Sequence, residues 1–152
     1  MILVDANLLI YSIDPDSPHY KASNRWLREI VDGGTPLFLA WIVALAFLRI
    51  TTNGRIVHRP MAPSAALGVI QALVTQPNVQ WVSPGERHWT ILQALIVESG
   101  TAGNLINDAH LAALAIEKGL TLASADNDFR RFSGLRLVNP VLKAAQAKPK
   151  AT

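Results

Sequence analysis

Residues 105–126, LINDAHLAALAIEKGLTLASAD, decide how the chain folds. Apolar side chains recur at helical spacing from Leu105 to Lys118, and Gly119 stops the helix as a left-handed C-terminal residue does. The apolar run Leu120 to Ser124 then reads as a strand, with Asp126 just beyond it. The opening residues repeat the ending of that unit: Ile2-Leu3-Val4 is short and wholly apolar, as in a strand buried on both faces, and closes on Asp5. Between these ends the pattern keeps alternating. Ser17-Pro18 supplies an N-cap and first turn for a helix through Trp26, Leu27 and Ile30 to Gly33-Gly34. Leu37–Ala40 follows as a strand or helix lead-in, Ile42–Ile50 as a buried helix broken at Asn53-Gly54, and Pro63–Val74 as a further helix. Val79–Val82 reads as a strand. Ser83-Pro84-Gly85-Glu86 has capping-box spacing and predicts a helix from there to about Glu98. Leu135–Val138 is the last strand. Strands separated by helices predict an α/β fold whose parallel sheet is covered on both faces.

Composition sets the outer bounds. A chain of 152 residues, 50% of them hydrophobic, supports one domain with one core and excludes a solvated, disordered chain. The absence of cysteine excludes a disulfide scaffold and a thiolate zinc site. With 14 Lys+Arg against 11 Asp+Glu, the net charge of +3 allows a polyanionic partner without requiring one. The first apolar residues are interrupted by Asp5 and lack a preceding basic region, so no signal peptide is expected. Leu37–Ile50 carries Arg49 and is shorter than the roughly 20 residues needed to cross a bilayer. The expectation is a soluble, cytoplasmic protein with no membrane association. Residues 1–142 form the domain. Residues 143–152, with three lysines and no acid, form a basic tail.

The acids carry the functional signal. Asp5 and Asp126 fall beyond the carboxyl ends of strands, where open α/β sheets place their sites. Either alone is equally well explained as a helix or turn cap. Asp108 is harder to explain that way, because Leu111, Ala112 and Ala115 align it with an apolar, small-residue face. A buried carboxylate requires donors or a cation, and three converging carboxylates repel one another unless a divalent ion lies among them. Oxygen-only ligands suit Mg²⁺ or Mn²⁺. No Asp or Glu occurs between Asp32 and Glu86, whereas Arg49, Arg55, His58 and Arg59 do. Arg49, Arg55 and Arg59 are therefore candidates for holding a phosphodiester substrate (RNA-binding residues, should the substrate be RNA), since metal beside positive charge suits a phosphodiester; an ordinary solvated loop explains them equally well. His110 points away from Asp108, about 200° round the helix. His19, His58 and His88 read as surface or packing residues. The tryptophans are able to stack on RNA bases. Trp26, Trp41 and Trp81 nevertheless lie in apolar patterns that predict core packing, and Trp89 is undecided.

Three blocks, MILVDANLLIYSID (1–14), GNLINDAHLAALAIEKGLTLASADNDF (103–129) and FSGLRLVNP (132–140), resemble a PIN domain and, more narrowly, the VapC toxins of VapBC toxin–antitoxin modules. The resemblance spans residues 1–141. It implies a three-layer sandwich with a central, mostly parallel sheet flanked by helices. It further implies a Mg²⁺- or Mn²⁺-dependent endoribonuclease toxin that cleaves tRNA or rRNA to leave a 3′-hydroxyl and a 5′-phosphate. A homodimer and a VapB-type antitoxin are implied as partners. Residue by residue, Asp5, Asp108 and Asp126 match the catalytic metal-binding acids, and Asp128 a less constant fourth. Asn7 and Ser124 match supporting residues. One departure stands out: where the family usually has Glu before a hydrophobic-Leu-Arg sequence, LAFLRITTN (45–53) has Ala46. That opens an alternative, a catalytically weakened PIN-fold module that holds RNA or antitoxin. A phosphoacceptor signalling domain also places Asp at strand ends, but the second acid beside Asp5 and the lysine after the late strand are missing.

Overall fold

The computed structural model describes residues 1–142; the expected tail, 143–152, lies outside the described residues. Strands β1 (Ile2–Val4), β2 (Leu37–Ala40), β3 (Val79–Val82), β4 (Thr121–Ala123) and β5 (Arg136–Val138) alternate with helices α1 (Ala6–Ile13), α2 (Tyr20–Asp32), α3 (Trp41–Thr51), α4 (Pro63–Val74), α5 (His88–Ser99) and α6 (Ile106–Lys118). The five strands form one sheet in the order β3-β2-β1-β4-β5, and every pairing is parallel. Apolar runs rather than alternating ones make these strands, because helices shield both faces. Leu3, Leu37, Leu39 and Leu122 are fully buried, and Phe47 of α3 and Leu114 of α6 pack into the same core. Ala109, Ala112, Ala113 and Ala115 are also fully buried, so α6 approaches the sheet through small side chains. Among the described residues, no helix is long and apolar enough to cross a membrane.

Register sets the site. Val4 of β1 pairs with Ala123 of β4, and the Asp5 amide donates to the Ala123 carbonyl at 2.9 Å. The chains that leave these two neighbouring strands therefore start side by side.

Several local expectations need correction. Helix α1 has no counterpart in the sequence reading. It is eight residues long and starts directly from the strand-end residue Asp5, whose carboxylate caps it. Ser17 does not cap α2, which begins at Tyr20; its Oγ accepts instead from the His19 amide in the preceding turn. The Ser83–Glu86 box does not open α5, which begins at His88. Glu117 of α6 accepts from the Gly85 and Arg87 amides at 2.8 and 3.0 Å, so a distant side chain takes the role expected of the local box. His88 and His110 join α5 to α6 through a 2.9 Å ring–ring hydrogen bond, and burial lowers the pKa of both rings. Trp41 and Trp81 are not core residues. They are 57% and 39% exposed, because β3 lies at the sheet edge and Trp41 opens the outer face of α3.

Candidate active site

Asp5 bridges two elements. Its Oδ1 accepts from the Ala6 amide at 2.7 Å, the N-terminal cap of α1. Its Oδ2 accepts from the Ser124 hydroxyl at 2.6 Å and from Asn7 Nδ2 at 2.9 Å. Asn7 also donates to Ser124 Oγ at 3.0 Å, while its own Oδ1 accepts from the Ala125 amide at 3.2 Å. Ser124 Oγ, while donating its hydrogen bond to Asp5, accepts one from the Asp126 amide at 3.0 Å. Asn7 and Ser124 thus lock the exit of β1 to the exit of β4, with every polar atom of Asn7's amide used. Asp126 Oδ1 in turn accepts from the Asp128 amide at 2.7 Å and starts the short 3₁₀ helix Asn127–Arg131.

Asp108 arrives from another direction, in the first turn of α6. That position favours a carboxylate through the helix dipole, so part of its placement is simple capping electrostatics. The remainder is unfavourable. Burial pushes its pKa up to about 6, and the charges of Asp5 and Asp126 push the same way; Arg131 opposes them and Asp128 adds to them. Asp5 is also raised, chiefly by burial and further by Asp126, against the lowering effect of bonds from Ser124, Ala6 and Asn7. The four acids therefore lie in one field. Among the described residues, none of Asp5, Asp108 and Asp126 has an ion-pair partner. Asp128 differs: its carboxylate is 62% exposed and 3.5 Å from Arg131.

Among the described residues, no group of three or more His, Cys, Asp or Glu side chains is drawn together closely enough to hold a metal ion by itself. The donor set nevertheless fits an ion of the Mg²⁺ type. Such ions keep several waters and take only one or two carboxylates besides substrate phosphates. Burial raises the pKa of Asp108 most and the neighbouring acids add to it, and a cation among them would offset both effects. The three arginines expected to bind RNA stand on α3 and in the segment that follows it. Arg49 is exposed in the last turn of α3; Arg55 and Arg59 are exposed between α3 and α4, with Arg59 3.6 Å from Asp16.

A family model described as PIN domain matches residues 2–135. The chain belongs to the PIN domain family. Its similarity within that family is to VapC proteins: it is 40% identical over 140 residues to Ribonuclease VapC37 of Mycobacterium tuberculosis, which covers 92% of this chain and 97% of that one. Ribonuclease VapC33 of the same species is 34% identical over 141 residues, covering 93% and 99%. Among solved structures, VapBC2 from Rickettsia felis, bound to a DNA fragment from its promoter, superposes with a TM-score of 0.67 at 19% identity over 91% of this chain and 98% of that chain. VapC20 from M. tuberculosis, described as a sarcin-ricin loop cleaving toxin, gives 0.59 at 15% over 90% and 99%. At those identities the structures establish the fold, a PIN-type α/β sandwich.

The resemblance that implies roles for Asp5, Asp108 and Asp126 also implies a Glu where this chain has Ala46. That alanine sits half-buried on α3 against the core and supplies no oxygen. Arg131 is a residue the sequence reading does not single out. The available signal was the Arg130-Arg131 pair directly behind Asp128.

The strain among the acids has a measurable sign. Asp108 holds its proton more tightly folded, at about 6, than at its ordinary 3.8. Its contribution to stability is complete below 3.8, is lost as pH rises towards 6 and stays lost above. Asp108→Asn imitates the protonated form. In thermal melts without divalent metal, the variant is expected to be more stable than the parent at pH 8, the gap closing by about pH 4. An equal or lower melting temperature at pH 8 contradicts the raised pKa that burial and the neighbouring acids give Asp108.

Proposed function

We propose that the chain is the toxin of a type II toxin–antitoxin pair, an endoribonuclease that hydrolyses RNA phosphodiester bonds at the Asp5–Asp108–Asp126 site. The observation that carries this reading is that Asp5 and Asp126 leave neighbouring strands at the carboxyl edge of the sheet, joined through Ser124, with Asp108 in the field of both, in a chain whose relatives are named ribonucleases. Mg²⁺, or Mn²⁺ in its place, is the ion proposed for the site; it would polarise the scissile phosphate and make a bound water nucleophilic near neutral pH.

The chain's own residues prepare that chemistry. Asp5, Asp108 and Asp126 provide the negative charge that holds the ion. Ser124 and Asn7 fix the orientation of Asp5, the supporting role that polar partners play around metal ligands. Arg131, facing Asp128 at the rim, is placed to meet a phosphate flanking the reacting one. The water oxygen bonds to phosphorus, the bond to the 3′ oxygen breaks, and a proton passes to that oxygen. The products are a 5′-phosphate and a 3′-hydroxyl. Asp128 is the fourth acid of the proposed site. Structured RNA of the tRNA or rRNA class is the proposed substrate, with a homodimer as the working form and a VapB-type antitoxin as the inhibitor. The solved VapBC complex from R. felis, of the same fold, supports the latter.

The second reading, a weakened binding module, rests on Ala46 alone. Incubation with end-labelled tRNA and rRNA fragments separates the two. The ribonuclease reading expects Mg²⁺- or Mn²⁺-dependent cleavage, abolished by EDTA, with 5′-phosphate ends. Retention of RNA with no cleavage in either metal favours the module.

A further inference from the structure

Trp41 and Trp81 lie almost parallel, with ring centroids 4.2 Å apart and planes inclined by 13°, and both are substantially exposed. Large indole faces are rarely left to water without a partner. Their position in the fold is specific. Trp41 is the first residue beyond β2, and Trp81 is the penultimate residue of β3. In the sheet order β3-β2-β1-β4, the pair therefore occupies the same carboxyl edge as Asp5 and Asp126. β2 is the immediate neighbour of β1, at a strand spacing of about 4.8 Å. From Trp41 an exposed stripe continues along α3 through Leu45 to Arg49, at i, i+4 and i+8. Side chains on a helix lean towards its N-terminus, so this stripe leans towards the sheet edge that bears the acids. The surrounding segment, 33–85, contains no Asp or Glu at all.

Aromatic faces joined to an arginine-ended strip without acids match a single-stranded nucleic acid, whose bases stack while its phosphates avoid negative charge. We infer that the Trp41–Trp81 pair is a stacking platform for an unpaired nucleobase of the RNA, next to the nucleotide held at the carboxylates. This rests on the ribonuclease reading and deepens it: the site takes single-stranded RNA, or an unpaired loop of a structured RNA, and Trp41 is a binding residue for a base rather than for the phosphate.

The test uses two fluorescent probes of equal charge, a twelve-residue oligouridylate and an abasic ribose-phosphate oligomer of the same length. Anisotropy titrations are run in Ca²⁺, whose looser coordination still serves phosphate oxygens. The parent protein is expected to prefer the oligouridylate, and Trp41→Ala to lose about tenfold on that probe and nothing on the abasic one. Trp41→Phe retains the preference, whereas Trp41→Leu, apolar but without a π face, loses it. Those two variants keep the test decisive should Trp41→Ala fold poorly. Equal binding of both probes by the parent overturns the stacking platform, and if RNA cleavage persists the ribonuclease reading survives. Binding of neither probe, with no cleavage, overturns both. Light scattering that shows Trp41→Ala converting a dimer to a monomer, with the probe preference unchanged, assigns the patch to a second copy and overturns the inference.

Discussion

Asp5→Asn is expected to lower RNA cleavage on the order of 10²–10³-fold, the range seen when one electrostatic partner of a transition state is removed. The protein itself should remain folded. Asparagine keeps one oxygen, which serves either the Ala6 amide or the Ser124 and Asn7 donors, but not both sides as Asp5 does. The lost bond costs about 1 kcal/mol, as for other helix caps. Set against it, the substitution removes a buried charge whose pKa is raised by burial and by Asp126. The two effects have opposite signs, so near-parental melting together with collapsed activity is the expected pair of results. Circular dichroism melts and cleavage of labelled RNA report them. A variant that cleaves within a few-fold of the parent removes Asp5 from the chemistry.

Ala46→Glu has the opposite direction. Restoring the acid that resembling sequences carry before Leu48-Arg49 adds a carboxylate on α3, where Ala46 is half-buried against the core. Binding of hard cations strengthens with the number of charged oxygen ligands. The Mg²⁺ concentration giving half-maximal cleavage is expected to fall about tenfold or more, with cleavage at limiting Mg²⁺ rising to match. Without metal the added charge joins a field that already raises Asp108 to about 6, so the metal-free melting temperature should drop. An unchanged Mg²⁺ requirement with only the loss of stability places position 46 outside the site.

How far the sequence discloses this molecule depends on which interactions are local. Asp5, Asp108 and Asp126 are legible because each is an acid where apolar residues lead up to it, and a strand end or a helix face is a short-range pattern. The α/β class follows from the same periodicity. Helix α1 is not legible, since its cap Asp5 is also the natural end of β1, and only the Ala6 hydrogen bond shows it serving both. The false start assigned to Ser83–Glu86 has a long-range cause: Glu117, thirty residues and more downstream, occupies the amides of that turn. Trp41 and Trp81 satisfy an apolar pattern and are nonetheless exposed. Which strand lies at the edge of a sheet is decided by strand order, and no local window contains that order. Likewise, the bond network through Asn7 and Ser124 joins positions more than a hundred residues apart.

The central assertion, that three distant aspartates act together on one divalent ion, is open to a direct titration. Mn²⁺ is paramagnetic, so the signal of the free ion reports how much of it the protein has taken up. The parent should bind a single Mn²⁺ that excess Mg²⁺ displaces, and Asp5→Asn, Asp108→Asn and Asp126→Asn should each weaken that binding by a similar factor. Uptake that is absent in the parent, or present and indifferent to all three substitutions, contradicts it.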